Sequence, residues 1–325
     1  MTHAFRFYQI GGPEVLKWED VPLAKPGPGE VQLRHTAVGL NFTDIYSRAG
    51  VYAPPAFPSG IGLEGAGVVV EVGSGVTEFK PGQRVAYGSG PLGAYAEARN
   101  IPAHRLVPLP EGISDKEAAA MMLKGLTAQY LLRRTYKVKS GDTILFHAAA
   151  GGVGLIACQW AKALGATVIG TVGSDAKAAL AKAHGCDHPV VYTREDFVKR
   201  VAEITGGKKV PVVYDSVGKD TFMKSLDCLA PLGLVALFGQ SSGAVEPFNL
   251  GLLAMKGSLY VTRPTLGTYG ADPKEMRAGA KELFDLVLAK KIKIEVNQTY
   301  PLKDAAKAHA DLAARKTTGS TVFTV

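Results

Sequence analysis

Hydrophobic positions change their period near residue 110. Before it, short apolar runs are cut by Gly and Pro: 4–9, 16–21, 30–39, 65–72, 84–86 and 94–98. That pattern predicts short strands, with turns at Pro26-Gly27-Pro28-Gly29, Gly73-Ser74-Gly75 and Pro81-Gly82. The expected product is an irregular, mostly antiparallel barrel, with one short helix over 42–48. Ser114 with Glu117 forms a capping box ahead of an apolar run, so a helix begins there, and a second is expected over 126–134.

The stretch 142–170 organises the second half of the chain. Residues 143–146 are apolar and β-prone, 148–154 (AAAGGVG) are a small-residue turn, and 155–164 repeat apolar residues at helical spacing until Gly165. Residues 166–170 form a second apolar strand. Strand, turn, helix and strand make a βαβ unit, which requires a parallel sheet and a right-handed crossover.

The alternation continues. Helices are expected over 175–184, 196–205 and 221–229. Strands are expected over 189–192, 210–215, 234–238 and 258–262. Together these predict an α/β, doubly wound Rossmann domain with a parallel sheet. An amphipathic helix over 273–289, a strand over 293–296, a helix over 304–315 and a strand over 320–324 no longer alternate in that manner. This tail is expected to fold back on the barrel. The domains therefore read as 1–124 completed by 266–325, and 125–265. There is no internal repeat.

Glycine at 151 and 154 lets the backbone approach a ligand and lets the helix sit close on the strand. The helix N-terminus then offers N–H groups and a positive dipole end to a diphosphate. Against G-x-G-x-x-G, Ala149 stands in the first glycine position. The context of a preceding strand and a following helix makes this a dinucleotide site rather than a tight structural turn.

Composition narrows the class. At 46% apolar and 20% charged over 325 residues, the chain is globular. Met1–Gln9 is mixed polar and aromatic, not a signal peptide. The uncharged stretch 144–161 is broken by glycines and reads as strand–turn–helix, so no membrane span is expected. Cys158, Cys186 and Cys228 are scattered, as reduced thiols of a cytoplasmic protein would be. The net charge of +8 is dispersed, without a basic run, and no nucleic-acid partner is expected.

Gly62–Gly67 (GLEGAG), Phe79–Val85 (FKPGQRV), AAAGGVG and the returning tail together resemble the medium-chain dehydrogenase/reductase superfamily, with its GroES-like barrel. Asn41–Tyr46 (NFTDIY), Leu123–Thr127 (LKGLT) and Gly257–Pro264 (GSLYVTRP) resemble its bacterial NADPH:quinone oxidoreductases, relatives of ζ-crystallin. Zinc members place a Cys before a Gly-His-Glu ligand motif. Here Leu63 occupies the His position, no Cys lies in 41–44, and the structural zinc lobe is missing. Glu64 alone cannot hold zinc. His35, His104 and His147 remain as isolated candidates, and no metal is expected.

No acid ends the second Rossmann strand, so charge does not close the ribose 2′ position to a phosphate. The resemblance implies that Ser174, Lys177 and Tyr192 hold the 2′-phosphate of NADPH. The bland alternatives are a helix cap, a solvated lysine and a core-edge tyrosine, and Asp175 places an opposing charge nearby. The turn residues Ala150, Gly151, Gly152 and Val153, with Gly173, complete the phosphate side. The resemblance also implies that Phe238, Gly239, Ser241 and Arg263 line the cofactor, and that Arg315 reaches it across the cleft. Ser216 sits at a strand end, where open α/β sheets bind ligands.

A quinone is an activated electrophile that gains aromaticity on reduction, so its hydride acceptance needs no Lewis acid. The candidate site residues are Asn41, Tyr46, Tyr52 and Thr127, with Asp44 as a cap or buried acceptor and Lys124 as a candidate charge for the reacting oxygen. In the family pattern Asn41 and Tyr46 face the nicotinamide. No general acid stands out. Two other functions remain open: reduction of an enone or enoyl-thioester by NADPH, and a crystallin-like or RNA-binding role with little turnover. The apolar segment 257–264 reads as a sheet edge that pairs two subunits into a homodimer.

Overall fold

The computed structural model describes residues 1–325. The chain forms two compact units. The first comprises Met1–Leu126, Gly270–Leu288 and Ile294–Val325, and the second Thr127–Tyr269 and Ala289–Lys293.

The first unit is built on the long strand Glu30–Leu40. Glu64–Val72 pairs antiparallel with it, shifting register at Gln32/Leu33 and His35/Ala37. Arg84–Tyr87 and Val107–Pro108 extend the sheet beyond. On the other edge Ser320–Thr324 pairs antiparallel with residues 37–40, and Val296–Pro301 lies parallel to it. The C-terminal strand therefore pairs with the long strand of the first unit. Phe5, Phe7, Leu33, Ile61, Tyr95, Ile101 and Phe323 are all at or below 2% exposure and form its core. Alternating side chains on a half-buried sheet give this core its period of two.

The second unit carries six parallel strands. Their spatial order is His188–Val191, Thr167–Val172, Thr143–Phe146, Val210–Asp215, Leu229–Leu237, Tyr260–Thr262. In chain order this is 3-2-1-4-5-6, the doubly wound arrangement. The order reverses beside Thr143–Phe146, so the turn after that strand lies at the switch point where such sheets bind ligands.

Three sequence expectations need correction. No second helix starts at 126: one helix runs Asp115–Tyr130 and passes into a π turn at Leu131–Thr135. The helix runs through Gly125, where a Cβ would lie 2.4 Å from Leu283 Cδ2, so this glycine serves close packing. The strand expected at 94–98 lies at Ala98–Pro102, and Ala96 contributes only an isolated bridge to Ala4. One of its two inward positions is Arg99, which hides the alternation. The strand expected at 293–296 lies at Val296–Pro301, where its register is set by pairing with Ser320–Thr324. The short helices Gly251–Met255 and Leu266–Tyr269 carried no sequence signal.

Candidate active site

In the barrel unit the site residues gather around Glu64, which is fully buried. Its Oε2 accepts from Asn41 Nδ2 and from Lys124 Nζ, both at 2.7 Å, and its Oε1 accepts from the Leu123 amide at 2.8 Å. Room for this carboxylate depends on Gly39, where a Cβ would sit 2.2 Å from Glu64 Oε2 and 2.3 Å from Ala119 O. Lys124 is 5% exposed. Its ammonium is therefore committed to Glu64, not held out for a substrate oxygen.

Asn41 precedes the helix Phe42–Arg48, which falls where the sequence placed it. Its backbone N–H donates to Asp44 Oδ2 at 2.9 Å. Tyr95 Oη donates to the same oxygen at 2.9 Å and lies 3.0 Å from His309 Nε2. Asp44 is thus the buried cap of the alternative reading. Burial raises its carboxyl to about 7, against the lowering pull of its donors. Tyr46 stands edge-on between Phe42 and Tyr52, with ring centroids 5.3 and 5.4 Å away. Tyr52 is 45% exposed. Tyr95 and His309 were invisible in the sequence because they come from distant segments.

Burial holds His35 and His309 at about 3. Between 6.5 and 3 the unfolded chain binds protons that these folded histidines refuse, so stability falls as pH drops through that window. Asp44 runs the other way, since its folded carboxyl takes a proton more readily than an unfolded one. Two imidazoles outweigh one carboxyl. The urea midpoint is expected to fall on acidification from about pH 7 to about pH 4, and a midpoint that rises would contradict these assignments.

In the Rossmann unit, Ala148 opens the turn with φ 55°, left-handed for a residue with a side chain. That geometry costs about 1–2 kcal/mol. The Gly151 amide donates to Ala148 O at 2.9 Å, and Ala149 N donates to Thr171 O at 3.0 Å. The helix Gly152–Ala163 follows with Gly151 as N-cap and no side-chain cap. Ala150, Gly151, Gly152 and Val153 therefore lie together at a helix start that suits an anion.

Gly173, Ser174 and Tyr192 also come together: a Cβ on Gly173 would lie 3.0 Å from Tyr192 Oη. Ser174 caps the helix Asp175–Ala183, accepting from the Lys177 amide at 3.4 Å. The cap leaves the hydroxyl proton available to a phosphate. Arg194 was missed in the sequence. Its guanidinium forks onto both oxygens of Asp175. The charge that weighed against a 2′-phosphate is thereby paired.

Ser216 and the segment 238–241 also meet. Ser241 N donates to Ser216 O at 3.1 Å, and a Cβ on Gly239 would lie 2.6 Å from that oxygen. Arg263 Nη1 donates to Leu237 O at 2.9 Å, next to Phe238. Thr127 is buried on the helix that also carries Lys124. Arg315 belongs to the barrel unit, just past the helix Ala305–Ala313, with φ 59°.

The chain is 58% identical to a quinone oxidoreductase of Pseudomonas aeruginosa, over 99% of each chain. It belongs to the quinone oxidoreductases of the medium-chain dehydrogenase/reductase superfamily. Residues 27–111 match the alcohol dehydrogenase GroES-like domain, and 152–285 match the zinc-binding dehydrogenase family. The fold matches the crystal structure of Escherichia coli quinone oxidoreductase complexed with NADPH, with a TM-score of 0.98 and 52% identity over 99% of this chain and all of that one. A 2-haloacrylate reductase of Burkholderia is 48% identical over 99% of each chain.

The second of those family models carries zinc in its description, and this member's donor set does not fit the metal. Zinc needs three or four converging Cys, His or carboxylate ligands. No three His, Cys, Asp or Glu side chains converge here. Glu64 is satisfied by Lys124, Asn41 and Leu123. His35 is bound to Ala96 O and Tyr87 Oη, and His147 to Thr171 and Ser225.

Proposed function

We propose that this quinone oxidoreductase transfers hydride from NADPH to a quinone. The observation that carries the reading is the closed Glu64–Lys124–Asn41 cluster. The Gly62-Leu63-Glu64 segment, which resembles the Gly-His-Glu motif of zinc members, has its carboxylate closed by an internal ion pair. An acceptor reduced here must be electrophilic without metal activation, and a quinone is. Bound NADPH would supply the hydride and the protein its orientation.

The turn 150–153 binds the diphosphate through its amides and helix dipole. Gly173, Ser174, Lys177 and Tyr192 hold the 2′-phosphate, with Arg194 neutralising Asp175 beside it. Ser216, Phe238, Gly239, Ser241, Arg263 and Arg315 complete the cofactor set. Glu64 accepts only, so it turns the Asn41 amide N–H2 toward itself. The Asn41 carbonyl is then left to accept from a carboxamide. Thr127 offers a hydroxyl to the same group. Tyr46, flanked by Phe42 and Tyr52, supplies an aromatic face for a flat ring, with Tyr52 at the exposed rim.

The 48% identical haloacrylate reductase supports a second reading, reduction of an activated C=C. Initial rates with NADPH against a quinone panel and an enone and haloacrylate panel separate them. Quinones are expected to lead in kcat/KM by at least about tenfold, the factor one well-placed contact supplies. The opposite order overturns the quinone reading, and tight NADPH binding without turnover would favour the binding-protein alternative.

We also propose a homodimer. Tyr260–Thr262 is the outer strand of the six-stranded sheet, with Tyr260 60% and Val261 37% exposed. An apolar sheet edge invites pairing with a second copy. Sedimentation at micromolar protein should give a dimer, and a monomer there would refute it. No helix is long and apolar enough to cross a membrane. The three buried, free cysteines suit a cytoplasmic setting.

A further inference from the structure

The Rossmann unit contains a buried polar chain that no cofactor contact requires. His147 is fully buried immediately before the strained Ala148. Its Nδ1 lies 2.8 Å from Thr171 Oγ1 and its Nε2 3.0 Å from Ser225 Oγ. Ser225 Oγ in turn lies 3.1 Å from Asp215 Oδ2. The other carboxylate oxygen accepts from the amides of Val217 at 2.8 Å and Gly218 at 3.1 Å, and from Thr221 Oγ1 at 2.9 Å.

One tautomer satisfies every member. Thr171 O–H donates to Nδ1, Nε2–H donates to Ser225, and Ser225 O–H is left to donate to Asp215 Oδ2, shared with Thr221 O at 3.0 Å. Burial lowers the His147 pKa, which keeps the imidazole neutral as this scheme needs. The chain of bonds crosses three adjacent strand ends. His147 follows Thr143–Phe146, Thr171 is the penultimate residue of Thr167–Val172, and Asp215 closes Val210–Asp215. The loops that leave these ends are the AAAGGVG turn, the 173–174 segment and the 216–218 segment. The last is tied onward to Ser241 through Ser216 O.

We infer that His147 is a positioning residue whose single imidazole fixes the three cofactor loops against one another before NADPH arrives. A buried hydrogen-bond network is costly to leave half-satisfied, so it specifies one arrangement of the segments it joins. Apolar residues at these positions would pack equally well but leave the loops free to shift. Binding would then have to supply the ordering. The inference rests on the NADPH reading above.

Fluorescence titration with NADPH and steady-state kinetics on the full chain test it. Thr171→Val and Ser225→Ala each remove one partner and keep the packing. Each should raise Kd and KM for NADPH by about fivefold, the weight of one neutral hydrogen bond, with kcat at saturation retained. Because both act through one imidazole, neither should add further loss in a His147→Phe background. A lower melting temperature with unchanged Kd would make the network mere core and overturn the inference, as would fully additive effects. Should His147→Phe not fold, the two single variants and their double still decide the matter. Failure of the unaltered protein to bind NADPH would instead bring down the cofactor reading, and this inference with it.

Discussion

Gly154→Ala should weaken NADPH binding by about a hundredfold, the scale at which a misplacement of roughly 1 Å in a binding constellation is felt. A Cβ at this position would lie 2.5 Å from Ala148 O, 2.6 Å from Ala149 O and 2.7 Å from Ala149 C. All three are backbone atoms of the turn. No side chain can rotate away, so the helix must lift or the turn must open. Either displaces the amides at the helix start. The melting temperature should fall as well, because overpacking of this kind costs about 1–3 kcal/mol. Gly151 offers a contrast: a Cβ there would meet only Ala148 O, at 3.2 Å, and the backbone φ is −84°. Gly151→Ala should therefore lose much less melting temperature than Gly154→Ala, with its affinity loss coming mainly from contact with the ligand. Titration and thermal denaturation of both variants read the difference. Unaltered NADPH binding in Gly154→Ala would mean that this turn does not hold the diphosphate.

Lys124→Met should destabilise the barrel unit by about 3–5 kcal/mol, because it strands a buried carboxylate. Glu64 has no exposure, and Lys124 is its cationic partner, with Nζ 2.7 Å from Oε2. The longer chain of consequence runs to Asn41, whose amide orientation depends on an acceptor-only group at 64. Combining Lys124→Met with Glu64→Gln removes both charges and should recover most of the lost stability. Activity should not recover with it. An amide at that position can present its own N–H2 to Asn41, which frees the Asn41 amide to turn over. Thermal denaturation and kcat/KM of the two variants separate the effects. A Lys124→Met protein as stable as the original would show that the pair contributes little. A double variant with full activity would show that Asn41 does not depend on Glu64.

The two units differ in how much of this was written locally. The Rossmann alternation could be read residue by residue because each βαβ element carries its own period and its own stop, as Gly165 and Gly185 do. The turn 148–154 was legible because glycine at a helix start has a direct geometric meaning. Ser174 was read both as a phosphate ligand and as a cap, and the cap is present. The pairing of Asp175 with Arg194 spans 19 residues and follows from two adjacent strands rather than from either segment. It reverses the electrostatic argument that the neighbourhood of Asp175 suggested.

Sequence alone determined the class of each unit and the place of the small-residue turn at a helix start, since these depend on residue type at fixed local spacing, and the family resemblance marked Leu63 as a departure from a zinc-ligand motif. Only the tertiary structure decided what became of the groups left behind. It closed Glu64 with Lys124, set Tyr95 and His309 behind Asp44, and joined His147 to Asp215 through Ser225. Each of these pairs a buried polar atom with a partner from another segment. Which partner it finds depends on how strands and helices pack, and no local pattern carries that information.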